Sequence, residues 1–174
     1  SANNLDLRPN VPFKTVMTGP VYHSAPNMYA LYAARFGGVV ILQPRFDAEG
    51  LLRLIEEHQI SHLYLVPIMF VRLLALPEDA RTRYDVSSLQ FVVHAAAPCP
   101  VEVKQKMIEW WGPVINEYYG ATETGGVIFH SSEEALRKPG TSGRAIDNGH
   151  VAIVDKEGNE LGPNETGLIY LGID

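Results

Sequence analysis

The chain has one cysteine, Cys99, in 174 residues. No intrachain disulfide can form, so the fold must stand on packing, and such usage suits a reducing compartment. Basic residues are few and scattered: 14 Lys and Arg face 20 Asp and Glu, for a formal net charge of −6. No block of like charge occurs. That argues against nucleic acid as the main partner, because a phosphate backbone demands clustered cations. A small anion held by backbone amides and magnesium remains compatible. Long apolar runs are missing too. The longest, Ala30 to Leu42, is broken by Arg35 and two glycines and is too short to span a bilayer. No basic stretch followed by an apolar run opens the chain, so no secretory signal is expected. With the cysteine usage, this makes a cytoplasmic location the expectation. The six histidines (His23, His58, His62, His94, His130, His150) show no metal-ligand spacing, and zinc is not expected.

What is present suffices for a core: 46% of residues are hydrophobic and 20% charged. The length fits one domain or a large piece of one. Gly167 to Gly172 reads as a strand followed only by Ile173-Asp174, and Ser1-Ala2-Asn3 reads as a vector scar, so an excised segment of a longer protein is expected. Short β-rich runs alternate with helical patterns. Strands are expected at 14–17, 39–42 (buried), 62–66, 89–93 and 113–116. Helices are expected at 27–36, from Asp47 to His58, from Pro67 through Leu74, and from Pro100 with Val103, Met107, Ile108 and Trp111 at helical spacing. This alternation predicts an α/β fold with a largely parallel sheet flanked by helices on both faces. After Gly125 the texture becomes antiparallel β, with strands at 151–154 and 168–171 around a turn at 156–159. Residues 1–138 are therefore assigned to an α/β subdomain and 139–174 to a β-rich portion of the same domain, a separate β lobe from Pro139 being the alternative.

Three loops have residue types suited to chemistry. In Glu117-Tyr118-Tyr119-Gly120-Ala121-Thr122-Glu123-Thr124-Gly125-Gly126, a strand breaks into a stretch with rings, a hydroxyl, a carboxylate and glycine amides. Those groups suit a base, a phosphate and a magnesium ion. They equally suit a Gly-rich surface turn with two core tyrosines. In His94-Ala95-Ala96-Ala97-Pro98-Cys99-Pro100, no bulky side chain separates His94 from Pro98, so a flat ligand can approach the backbone. The same small residues suit a linker packed under the next helix. In Gly19-Pro20-Val21-Tyr22-His23-Ser24-Ala25-Pro26, His23 is either a gate or polar anchor, or a satisfied surface group.

In order, these loops resemble the P-[LF]-[FY]-H, G-[AG]-A-P and [YF]-G-x-T-E motifs of adenylate-forming enzymes: acyl-CoA synthetases, peptide-synthetase adenylation domains and luciferases. Lys138-Pro139-Gly140-Thr141-Ser142-Gly143-Arg144-Ala145 resembles the P-G-[ST]-[VS]-G-[RK] segment of that family. Gly158, with Glu160 to Ile169, resembles its G-x-E-[LV]-P-x-G-E-x-G-E-[IL] segment. The phrases 22–26 and 96–100 look more like fatty-acyl or steroid-type CoA ligases than like peptide-synthetase domains.

The resemblance implies a two-step ligase that uses ATP, Mg2+ and coenzyme A. A carboxylic acid (fatty, steroid-type or aryl) becomes an acyl-adenylate and then a thioester. It implies that Tyr119 stacks on adenine beside Gly120, that Thr122 bonds the α-phosphate and that Glu123 helps hold magnesium. It places Ala95, Ala96, Ala97 and Pro98 as a wall of the adenine site, with Asn116, Glu117 and Tyr118 among the nucleotide-binding positions. It places His23, counted with Thr122 and Glu123 as catalytic, near the carboxylate and the thiol route. The family's phosphate loop ending in Pro-Lys-Gly, its T-G-D segment and its lysine-bearing domain are absent, so the 174 residues alone are expected to be inactive. Ala95, Gly162 and Asn164 depart mildly from the family pattern. Two other expectations stand beside this one. An adenylation domain loading an aryl or amino acid onto a carrier protein would need a buried carboxylate for an ammonium group; Glu117 is the candidate, although a solvated loop position is expected for it. A non-catalytic nucleotide-binding or interaction module is the other, and retention of Thr122 and Glu123 argues against it.

Overall fold

The computed structural model describes residues 12–174. The expected vector scar lies outside the described residues. The chain runs β1 (Lys14–Met17), α1 (Ser24–Arg35), β2 (Val39–Leu42), α2 (Ala48–His58), β3 (His62–Leu65), α3 (Pro67–Leu74), α4 (Glu78–Arg83), β4 (Phe91–His94), α5 (Val101–Trp111) and β5 (Ile115–Ala121). It continues with β6 (Gly125–His130), α6 (Ser132–Arg137), β7 (Arg144–Ala145), β8 (Gly149–Val154) and β9 (Leu168–Ile173). One sheet has the order β2-β1-β3-β4-β5-β6-β7, and β8-β9 form a second. The first five strands of the large sheet pair in parallel, whereas β6 and β7 add antiparallel. The α/β class with a C-terminal antiparallel portion is thus observed.

Local chemistry explains the main elements. Leu51, Leu52 and Ile55 give α2 a fully buried stripe, and Asp47 caps it by accepting the Gly50 N–H at 3.2 Å. Asp47→Ala is expected to cost about 1 kcal/mol, read as a lower urea midpoint with an unchanged slope. Pro67 opens α3, where its missing N–H costs nothing. The helix expected from Asn27 starts at Ser24, because Pro26 is accommodated in the first turn for the same reason.

The sheet separates two apolar layers. On one face, Leu51, Ile55, Phe70, Leu73, Met107 and Ile115 join α2, α3 and α5 to the strands. On the other, Tyr29 and Ala33 of α1 pack on Phe13, Tyr64, Phe91 and Val93. Three expectations need correction. Strand 39–42 is not buried: β2 lies at the sheet edge with only β1 beside it, and Leu42 is 66% exposed. The strand expected to stop at Asn116 runs on to Ala121, because β6 pairs with it and supplies backbone partners. His94, expected in a loop, closes β4 and is fully buried.

Candidate functional site

Parallel strands end together, and the loops leaving their carboxyl ends share one side of the sheet. Here the loops after β1, β4 and β5 enclose an open cavity of about 1270 Å³. The convergence is direct. Ser24 Oγ and Thr122 Oγ1 lie 3.3 Å apart although 98 residues separate them. Ala95, Ala96, Ala97 and Pro98 form another wall of the same cavity. Ala96 holds a left-handed backbone, φ 74°. That strain is uncommon for a residue with a Cβ and clusters where a backbone must face a ligand.

The Tyr-Tyr-Gly-Ala-Thr-Glu motif is a hairpin rather than a loop. Tyr118 pairs with Phe129 and Tyr119 with Ile128, and the ladder becomes irregular between Tyr119 and Gly120. Thr122, Glu123 and Thr124 make the turn, which is braced by the Ala121 N–H donating to the Thr124 hydroxyl at 3.2 Å. Gly120 is required by close approach: a methyl there would lie 1.7 Å from the Gly125 carbonyl oxygen. Gly120→Ala is therefore expected to force the two strands apart and cost about 2 kcal/mol. Chemical denaturation measures it.

Strand alternation gives the two tyrosines different surroundings. Ile115 packs in the α5 layer, so Glu117 and Tyr119 share that face. Tyr118 packs with the α1 layer, its ring 6.4 Å from that of Tyr64. Tyr119 is 42% exposed and presents ring surface to the cavity. The cavity thus wraps around the strand ends with one tyrosine on each side.

Below Tyr119 lies a charged cluster. The Glu117 carboxylate is ion-paired with Lys104, lies 3.1 Å from His130 Nε2, and is 3.4 Å from His94 Nε2. Lys104, His130 and His94 are all buried. Burial opposes ionisation of Glu117, but hydrogen bonds from His130 and Lys104 outweigh it and hold its carboxyl down at about 2. Burial likewise pulls the His94 imidazole down to about 4, leaving it neutral. Glu117 is therefore no solvated loop carboxylate. It sits in a strand because β6 continues the sheet, and Lys104 already takes its charge.

The other expected residues are placed as follows. His23 precedes α1, is exposed on the cavity rim, and leans on Tyr22 at 4.8 Å between ring centroids. Thr122 and Glu123 are exposed on the hairpin turn and line the cavity. Among the described residues Glu123 has no hydrogen bond or ion pair, so its carboxylate is free for a cation. Asn116 does not line the cavity; it is buried and its amide donates to the Val114 carbonyl at 2.9 Å. Thr141 and Ser142 of the Pro-Gly-Thr-Ser-Gly-Arg segment also line the cavity. Gly143 there has φ 102° and passes so close to Phe129 that a methyl would lie 2.3 Å from its carbonyl oxygen. Ser24, Lys104 and His130 were missed by motif reading. Lys104 had a signal: it lies three and four residues before Met107 and Ile108, on the buried stripe of α5.

Comparison with known proteins agrees with this geometry. The family model described as AMP-binding enzyme matches residues 4–173. The chain is 32% identical over 162 residues to 4-coumarate–CoA ligase-like 2 of Arabidopsis thaliana, covering 91% of this chain and 29% of that protein. It resembles the structure of the amide bond synthetase McbA from Marinactinospora thermotolerans with a TM-score of 0.87 at 25% identity, over 98% of this chain and 34% of that one. It also shares the fold of the o-succinylbenzoate coenzyme A synthetase of Bacillus subtilis solved with ATP and magnesium ion, with a TM-score of 0.79 at 24% identity, again over 98% and 34%. The chain spans about a third of the length of these relatives. A family match over nearly the whole chain, on a fold that gathers all three motif loops at one cavity, establishes that the chain belongs to the AMP-binding enzyme family.

Proposed function

We propose that the chain is the central part of an ATP-dependent carboxylate–CoA ligase. The observation that carries this reading is the meeting of Ser24 and Thr122 across the cavity, which joins the first motif loop to the hairpin turn at one point. An acid carboxylate placed there attacks the α-phosphorus of ATP. The new bond is carboxylate oxygen to phosphorus, the bond to pyrophosphate breaks, and an acyl-adenylate results. In the second step a thiol attacks the acyl carbon and AMP leaves. The carboxylate is already a nucleophile, so positioning and charge stabilisation carry the first step and no acid–base pair is required.

In this reading Tyr119 stacks on adenine from the α5 side, with Ala95 to Pro98 as the facing wall. Thr122 donates to the α-phosphate. Glu123 is a ligand for magnesium; a hard cation that keeps waters and phosphate oxygens needs only one or two carboxylates, and the free Glu123 side chain fits that demand. Magnesium supplies neutralisation of phosphate charge. The acid lies on the α1 side, where the walls are mostly apolar. His23 lies at the mouth and lines the thiol's approach.

An amino-acid-activating domain is less well supported, because the one candidate carboxylate for an ammonium group, Glu117, is already paired with Lys104. ATP–pyrophosphate exchange by the full-length protein across a panel of fatty, steroid-type and aryl acids, followed by AMP release with and without coenzyme A, tests the reading. Acid-dependent exchange and CoA-dependent AMP release are expected. No exchange with any acid refutes it. The 174 residues alone, at about a third of a relative's length, are expected to show no turnover.

A further inference from the structure

The first motif loop and the hairpin turn touch through two hydroxyls. Ser24 Oγ and Thr122 Oγ1 lie 3.3 Å apart, and among the described residues neither side chain has another hydrogen-bond partner. Thr122 belongs to a motif, whereas Ser24 stands one residue past His23, where the first motif ends. The two are held differently. Ser24 is the first residue of α1, and that helix is pinned to the sheet by Tyr29 and Ala33, both buried. Thr122 stands on an exposed turn, braced by its neighbours where the Ala121 N–H donates to the Thr124 hydroxyl. Ser24 is the fixed member of the pair and Thr122 the one to be oriented.

As support for the fold the contact is worth little. Both side chains are exposed, so water competes for each hydroxyl. Both also line the cavity, and a ligand seated there excludes that water. A hydroxyl has one proton to donate and lone pairs that accept. With the cavity open, either hydroxyl can donate to the other. An anion that takes the Thr122 proton removes that freedom. Thr122 then has only acceptor capacity left for Ser24, and Ser24 must be the donor.

We propose that Ser24 is a positioning residue for Thr122: its O–H donates to the Thr122 oxygen and so aims the Thr122 proton at the α-phosphate. This rests on the ligase reading above. The relay runs from Ser24 O–H to Thr122 O–H to a phosphate oxygen, and no proton is transferred along it. A hydroxyl that accepts one hydrogen bond is a stronger donor in the next. Negative charge builds on the phosphate oxygens as the bond to pyrophosphate breaks. The relay therefore tightens in the transition state, and Ser24 is felt in kcat.

The test is a double-mutant cycle in the full-length protein, read by ATP–pyrophosphate exchange with an acid that the wild type accepts. Ser24→Ala is expected to lower kcat about five- to tenfold, with KM for ATP and for the acid within about twofold of wild type. Thr122→Ala is expected to be the slower of the two. The double variant is expected to match Thr122→Ala, because without the Thr122 hydroxyl Ser24 has nothing to orient. The thermal midpoint of Ser24→Ala is expected within a few degrees of wild type. An unchanged kcat in Ser24→Ala, or a loss confined to KM, overturns the inference. So does a double variant slower than Thr122→Ala by the full Ser24→Ala factor, since Ser24 then meets the substrate by itself. Ser24→Ala slower than Thr122→Ala reverses the relay and overturns it too. A midpoint lowered by more than a few degrees marks a contact that holds the fold, and it overturns the inference as well. Each of these results leaves the ligase reading in place. Exchange with no acid, over a wide panel, overturns that reading and this inference with it.

Discussion

Glu123→Ala in the full-length protein is expected to slow acyl-adenylate formation by about 10²- to 10³-fold, and Thr122→Ala by a similar factor. Both side chains sit on the turn of the β5–β6 hairpin, on the cavity, and neither supports the core. Negative charge builds on the phosphate oxygens and the departing pyrophosphate as that bond breaks, and Thr122 and a magnesium held by Glu123 would face that charge. Interactions that strengthen in the transition state appear in kcat rather than in KM. The loss should therefore persist at saturating ATP and acid in a pyrophosphate-exchange assay. Thermal midpoints should stay within a few degrees of wild type, since Glu123 is exposed and unpartnered and Thr122 loses only an exposed 3.3 Å contact with Ser24. Excess magnesium should recover part of the Glu123→Ala rate and none of the Thr122→Ala rate, because only the first variant has lost a metal ligand. Equal activity in both variants would remove the hairpin turn from the chemistry.

The sequence made the scaffold legible where local signals were strong. Asp47 before Leu51, Leu52 and Ile55 announced α2, and Pro67 announced the start of α3. It made the site legible as loops in order, yet it misjudged their shape. Gly120 and Gly125-Gly126 looked like loop residues because glycine carries no strand preference, whereas all three lie in strands: at Gly120 the facing backbone is too close for any Cβ, and Gly125 holds φ 66°. The second strand, Gly125–His130, was invisible until its partner was known, since sheet pairing is a tertiary fact. The exposure of strand 39–42 failed for the same reason: Val-Val-Ile-Leu reads as interior, and only strand order shows that it stands at an edge. Charge was the least legible feature. Glu117, Lys104, His130 and His94 come from four separate elements, and no local pattern relates them.

That cluster carries the largest expected effect on stability. Glu117→Leu leaves the Lys104 ammonium buried between two histidines with no counter-charge, and about 3–5 kcal/mol of stability should be lost. Lys104→Met leaves the half-buried carboxylate with His130 but without its cation, and a smaller loss is expected. The double variant should recover much of either loss, because two apolar side chains replace a pair whose desolvation nearly cancelled its attraction. Urea unfolding of the three variants and the wild type closes this cycle, and additive losses would show that the two groups do not act as a pair. Acid gives an independent reading. The Glu117 carboxyl ionises at about 2 when folded against an ordinary value of 4.5, so its contribution is complete above about 4.5 and is lost as pH falls toward 2. His94 acts over a higher window: folded at about 4 against 6.5, it must stay neutral to stay buried, so protonation of the unfolded chain draws stability away as pH falls from 6.5 to 4. The wild type should therefore weaken in two overlapping stages between pH 6.5 and 2. Glu117→Gln should flatten the lower stage, and the upper stage should remain for as long as His94 stays buried and neutral. Tyr119 stands on the same face of β5 as this cluster, so loss of the pair should also raise the KM for ATP while thermal unfolding shows the weakened core. An unchanged KM with lowered stability would confine the pair to holding the sheet together.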